Sequence, residues 1–145
     1  ARGEAREAIA ELRDLARGIA PPILADRGLP AAADAIAGRS AIKASVDAKL
    51  GSRPPAVVET AAYFVIAESL TNAAKYAGPE ARAHVSIRDG ADRLTLEITD
   101  DGRGGADPAG SGLTGLRHRV EALDGSLTVT SAEGHGTRIR AVLPY

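Results

Sequence analysis

The sequence predicts an α+β domain. Residues 57–74 are apolar nearly all round at helical spacing, which reads as one long buried helix. Four short alternating runs, residues 84–88, 93–99, 126–130 and 137–143, read as strands joined in pairs by turn residues. Shorter helical stretches bounded by Pro and Gly lie in front of them.

The elements follow in order. Over residues 1–20, Ala5, Ala8, Ile9, Leu12, Leu15, Ala16 and Ile19 recur at helical spacing with charges opposite, an amphipathic helix ended by Pro21-Pro22. Its apolar stripe needs a cover, either the domain itself or a neighbouring helix of a bundle. Pro22 opens a short helix over 23–27 stopped by Gly28; Pro30 opens another over 31–37 stopped by Gly38. Ile42, Ala44, Val46 and Ala48 alternate with Lys43, Ser45 and Asp47, a half-buried strand. Residues 51–55 form a loop, and the long helix then runs from 56 to Gly78-Pro79. Asp89-Gly90-Ala91-Asp92 turns the first hairpin. A helix over 116–123, closed by Gly125, precedes the last two strands, which Glu133-Gly134-His135-Gly136 connects.

The 145 residues fit one domain of ordinary size. Apolar content is 44% and aromatic content 3%, so the core must be aliphatic. A net charge of -1 gives no bulk electrostatic case for nucleic acid or an anionic membrane. Cysteine is absent, which excludes disulfides and Cys-ligated metals. The longest apolar run, residues 61–67, falls far short of the ~20 residues that span a bilayer. Arg2, Glu4, Arg6 and Glu7 do not read as a signal peptide, and the chain starts without Met in mid-pattern, as a fragment would.

Four stretches carry chemistry. Asp100 ends a strand, and Gly102 and Gly104 follow at alternate positions. A carboxylate beside bare backbone suits a flat ring with an amino donor, although D-x-G-x-G alone also fits a plain turn. Glu68, Asn72, Lys75 and Tyr76 fall at i, i+4, i+7 and i+8, on one face of the long helix. That face either turns to water or forms a hard-cation and phosphate site, with the Asn72 amide oxygen on Mg²⁺ and Lys75 beside a phosphate. Gly110-Ser111-Gly112-Leu113-Thr114-Gly115 matches G-x-G-x-x-G, but a loop and not a strand precedes it. It makes a poor dinucleotide turn and a good phosphate-binding helix start. Arg117, His118 and Arg119 read mainly as the solvated face of that helix. The fourth stretch is Gly134-x-Gly136-Thr137 before the final strand.

Taken in order, Glu68-x-x-x-Asn72, Asp100-x-Gly102-x-Gly104, Gly110-x-Gly112-Leu113-x-Gly115-Leu116 and Gly134-x-Gly136-Thr137 resemble the ATP-binding catalytic domain of bacterial sensor histidine kinases. These belong to the gyrase/chaperone/kinase/mismatch-repair ATPase superfamily. The subclass it looks like is the one paired with helix-turn-helix response regulators. The resemblance covers about residues 40–145. Residues 5–38 also resemble the end of that subclass's dimerisation and phosphotransfer helix pair and its connector, which divides the chain into 1–38 and 39–145.

The resemblance implies a mixed, mostly antiparallel sheet with helices packed on one face, a Bergerat-type ATP-binding α/β sandwich. It implies ATP and Mg²⁺ as ligands. Asp100 would bind the adenine amino group, Gly102 and Gly104 would shape the adenine pocket, and Thr137 would support it. Asn72 would ligate Mg²⁺, with Glu68 orienting it or a water and serving as a weak general base. Lys75 would sit near the phosphates, and Gly110, Gly112, Leu113 and Gly115 would wrap them. The implied partners are an acceptor-histidine helix of the same protein, a response regulator and a second subunit, with no nucleic acid, in a cytoplasmic setting that a membrane anchor elsewhere would allow. Tyr76 stands where many relatives carry His, and the segment 105–109 between the glycine boxes is very short. The acceptor His has no counterpart here: His84, His118 and His135 lack an amphipathic helical setting. Two other readings remain: a serine kinase of the same superfamily acting on an anti-anti-sigma partner, and a nucleotide-binding interaction module without transfer.

Overall fold

The computed structural model describes residues 19–104 and 111–145. The amphipathic helix expected over residues 1–20 lies almost wholly outside them, as do Gly110 and the short segment 105–109. The described chain runs α1 (Pro22–Arg27), α2 (Leu29–Arg39), β1 (Lys43–Lys49), α3 (Ala56–Tyr76), β2 (Arg82–Gly90), β3 (Arg93–Asp100), α4 (Ser111–Glu121), β4 (Ser126–Ser131) and β5 (Thr137–Pro144). Five strands form one sheet in the order β1-β2-β3-β5-β4. β1 pairs parallel to β2, and the other pairings are antiparallel. The mixed, mostly antiparallel sheet expected from the sequence is therefore present.

The core follows from the pleat. Val85 and Ile87 on β2, Leu94, Leu96 and Ile98 on β3, and Ile139, Ala141 and Leu143 on β5 all point to one face. The α3 residues Ile66, Leu70 and Ala73 bury themselves in the same cluster, as do Leu29, Ala32 and Ala33 of α2. Full burial of one such Leu or Ile contributes roughly 1.5–3 kcal/mol. The other face of the sheet is polar. There Arg88 bridges to Asp47 at 2.7 Å and Arg138 to Glu97 at 2.8 Å, each pair crossing between neighbouring strands. The Arg88 hydrogen bond holds the Asp47 carboxyl below its usual range. No helix among the described residues is long and apolar enough to cross a membrane.

Among the boundaries that differ from the sequence reading, three lie at glycines. Gly28, at φ 91°, does end α1, but it also starts α2, which begins at Leu29 and not at residue 31. α2 then runs through Gly38 to Arg39, because a lone glycine weakens a helix without terminating it. α4 begins at Ser111 and not at residue 116, so Gly112 and Gly115 lie within the helix.

Candidate functional site

One end of the sheet gathers Asp100, Gly102, Gly104 and Thr137. β3 delivers Asp100 to its C-terminal end, where its register partner on β5 is Thr137. The next residue, Asp101, exchanges bonds with β2. Its backbone N–H donates to the Arg82 carbonyl at 3.2 Å, and its Oδ1 accepts from the Arg82 N–H at 2.6 Å. Asp101 is thus tied into the sheet, which leaves Asp100 as the carboxylate at the strand end. Asp100 is half-buried. Its Oδ1 accepts the Gly102 N–H at 2.9 Å, and its Oδ2 has no hydrogen-bond partner among the described residues.

The glycine loop is stitched to both neighbours. Arg103 N–H donates to the Ala77 carbonyl at 3.1 Å, just past α3, and Gly134 N–H donates to the Arg103 carbonyl at 2.6 Å. A Cβ on Gly102 would land on Ala77. Gly104 and Gly136 have φ of 68° and 72°, and a Cβ on either would strike the backbone of Ala132 or Asp100. Left-handed backbone and bare approach coincide at both positions, so an L side chain fits neither. On the same hairpin the Ser131 Oγ and Thr137 Oγ1 lie 2.7 Å apart.

α3 carries the next predicted residues, and its end meets the glycine loop at Ala77. Glu68 and Asn72 are half-buried, and neither has a hydrogen-bond partner among the described residues. Lys75 and Tyr76 are exposed in the last turn. α4 meets α3 here: a Cβ on Gly112 would lie 2.6 Å from the Glu68 Oε1. Leu113 is buried in the core and anchors the first turn of α4, while Gly115 is exposed with open space around it. Backbone N–H groups in the first turn of a helix lack intrahelical partners and face anions well.

The half-buried carboxamide and carboxylate without partners fit a hydrated Mg²⁺, which takes one or two protein ligands and fills its remaining positions with water and phosphate oxygen. No group of three or more His, Asp or Glu among the described residues forms an all-protein metal cage. The free Asp100 oxygen fits an amino donor.

Comparison with known proteins decides the family. Residues 57–145 match the family model described as "Histidine kinase-, DNA gyrase B-, and HSP90-like ATPase". The chain belongs to this family. Within it, the chain is 39% identical over 94 residues to "Sensor histidine kinase YxjM" of Bacillus subtilis (strain 168), covering 64% of this chain and 23% of that protein. It is 42% identical over 85 residues to "Signal transduction histidine-protein kinase/phosphatase UhpB" of Salmonella typhimurium (strain LT2), covering 57% of this chain and 16% of that protein. The chain thus spans about a quarter or less of the curated relatives it matches. Among solved structures it is similar to the "Histidine kinase domain from Erythrobacter litoralis EL346 blue-light activated histidine kinase". That match has 30% identity and a TM-score of 0.61, and covers 77% of this chain and 57% of that one. This is a histidine-kinase ATPase domain, with the family's α+β fold.

Several residues that pack around this end of the sheet or join α4 to α3 carry no such signal in the sequence. Ser131 and Ala132 fall just past the expected end of a strand, and only the β4–β5 register brings them to Thr137 and Gly104. Ala77 reads as one more small helix residue until Gly102 packs on it. Arg119, read as solvated, sets its guanidinium over the Phe64 ring at 4.3 Å from the centroid. That contact attaches α4 to α3. His84 is hydrogen-bonded to Ser45 at 2.7 Å on the outer sheet face, and His118 and His135 are exposed on α4 and a turn.

Proposed function

We propose that this domain binds Mg·ATP and donates the γ-phosphoryl group to a histidine on a helix outside the described residues. Residues 39–145 serve as the catalytic domain, and residues 1–38 as the end of the dimerisation helix with its connector. The reading rests on one observation above others: Asp100 keeps one carboxylate oxygen without a partner among the described residues, at a strand end where Ala77, residues 100–104 and residues 132–136 pack closely.

In this reading the free Asp100 oxygen accepts a hydrogen bond from the adenine amino group. The Ser131–Thr137 hydroxyl pair supports the same edge of the base, and Gly102 and Gly104 keep room for the ring. Asn72 offers its amide oxygen to Mg²⁺, with Glu68 holding that amide or a water. Gly110, Gly112, Leu113 and Gly115 present backbone to the triphosphate, and Lys75 stands by the phosphates. When bound, Mg²⁺ neutralises charge on the β- and γ-phosphate oxygens. Transfer needs an acceptor nitrogen in line with the γ-phosphorus: its bond to phosphorus forms as the bond to the β–γ bridging oxygen breaks, and ADP leaves. The names of the relatives, a sensor histidine kinase and a signal transduction histidine-protein kinase/phosphatase, support a signalling setting. In this reading the domain works in the cytoplasm, with a response regulator downstream and a dimeric full-length protein.

The test is transfer in trans. The chain is incubated with γ-labelled ATP, Mg²⁺ and a separate polypeptide carrying an acceptor-histidine helix. Acid-labile, base-stable label on that helix is expected. ATP binding without label on any acceptor would leave an ATP-binding module in place of a kinase.

A further inference from the structure

Lys43 on β1 and Arg82 on β2 are register partners in the parallel pair, side by side and both exposed. Like charges directly opposite one another on a sheet are destabilising. Neither side chain has an ion-pair partner among the described residues. Two more cations without an ion-pair partner among the described residues, Lys75 and Arg103, line the same groove, which has a volume of about 520 Å³. Glu80 also lines it and makes no ion pair among the described residues.

The frame of the groove is fixed. The Arg82 N–H is held by the Asp101 carboxylate, and Arg103 is tied through its backbone to Ala77. The C-terminal dipole of α3 accounts for a cation at Lys75. It does not account for Lys43 and Arg82, which stand on strands. None of Glu68, Asn72, Asp100, Gly112 or Thr137 lines the groove, so it shares only Lys75 with the proposed nucleotide contacts. Its volume lies in the range of small-molecule pockets, ~300–1,000 Å³.

We propose that this groove binds a small polyanion with two or more phosphate or carboxylate groups, seated between Lys43, Arg82 and Arg103 and separate from the nucleotide, whose phosphates take Lys75. Guanidinium groups pair with both kinds of oxyanion, and an anion between Lys43 and Arg82 relieves their repulsion.

The test titrates the chain calorimetrically with tripolyphosphate and with citrate, at fixed ionic strength because exposed charges are screened by salt. At least one anion is expected to bind saturably at one site, and to do so with Mg·ATP already saturating the nucleotide site. Tripolyphosphate alone binding assigns the phosphate chemistry; citrate alone assigns the carboxylate chemistry. Lys43→Ser is expected to weaken binding several-fold and Lys43→Ser/Arg82→Ser at least tenfold, while Asp100→Asn leaves it unchanged. Unchanged affinity in the double variant, loss of binding under saturating Mg·ATP, or no saturable binding of either anion would overturn the proposal.

Discussion

The guanidinium of Arg53 lies 3.1 Å from the carboxylate of Glu59, which is 2% exposed. Glu59 also accepts the Leu29 N–H at 3.2 Å, while Arg53 donates to the carbonyls of Leu24 and Ala25 at 3.0 and 2.8 Å. One ion pair therefore fastens the α1–α2 junction to the first turns of α3. Removing one partner of a buried pair leaves a desolvated charge and costs ~3–5 kcal/mol. Because Arg53 is about half exposed, Arg53→Ala should cost somewhat less, about 2–3 kcal/mol. Arg53→Ala/Glu59→Gln should be more stable than Arg53→Ala alone, since it removes the stranded charge. Denaturant unfolding of the two variants checks this; a double variant no more stable than Arg53→Ala would contradict it.

Ala91 and Asp92 turn the β2–β3 hairpin with φ of 54° and 60°. Two left-handed central residues suit a turn in which Asn-Gly or Asp-Gly is preferred, and alanine there is strained by ~1 kcal/mol or more. Ala91→Asn should raise stability by about 0.5–1 kcal/mol without touching the site. Thermal melting measures it. A lower melting temperature would mean that the turn needs the small side chain.

Local patterns made the strands legible. Leu94, Leu96 and Ile98 alternate with polar residues in the sequence and face the core in the fold. Asp100 at the end of that strand was legible for the same reason. Pairing was not legible: no local signal says that β1 runs parallel to β2, or that Ser131 meets Thr137. The glycines of residues 110–115 read as a helix opening at 116, yet α4 absorbs two of them because Leu113 and Leu116 anchor it to the core. Arg53 and Glu59 were invisible as a pair, since their value depends on the fold bringing the Leu29 N–H to Glu59 and the Leu24 and Ala25 carbonyls to Arg53. The resemblance of the four motifs named the family, and the fold sets Glu68 and Asn72 on α3, Asp100 at the end of β3, Gly112 and Gly115 on α4, and Thr137 at the start of β5.

Asn72→Ala should leave adenine recognition largely intact and remove the metal dependence of ATP affinity. Its amide lies on α3, on a different element from Asp100. ADP and ATP affinities with and without Mg²⁺ measure this. A variant that keeps the full Mg²⁺ enhancement would take Asn72 off the metal.

The described chain holds pieces for a nucleotide and no placed acceptor. His84 is engaged with Ser45 on the outer sheet face, and His118 and His135 are exposed elsewhere. Incubated alone with labelled ATP and Mg²⁺, it should acquire no acid-labile phosphate. An acceptor helix supplied in trans should be labelled with low efficiency, because the covalent link that raises effective concentration is missing. Stoichiometric label at any of the three histidines would require a different acceptor geometry.

Calorimetric titration of ATP into the chain and into Asp100→Asn, both with Mg²⁺, tests the central claim most directly. The Asp100 oxygen without a partner is assigned to the adenine amino group, and an amide there can present a donor where an acceptor is needed. Losing a charge-assisted bond costs ~1.5–3 kcal/mol, so affinity should fall by roughly ten- to a hundred-fold while the fold is unchanged. Equal ATP affinity in the two proteins would contradict the account.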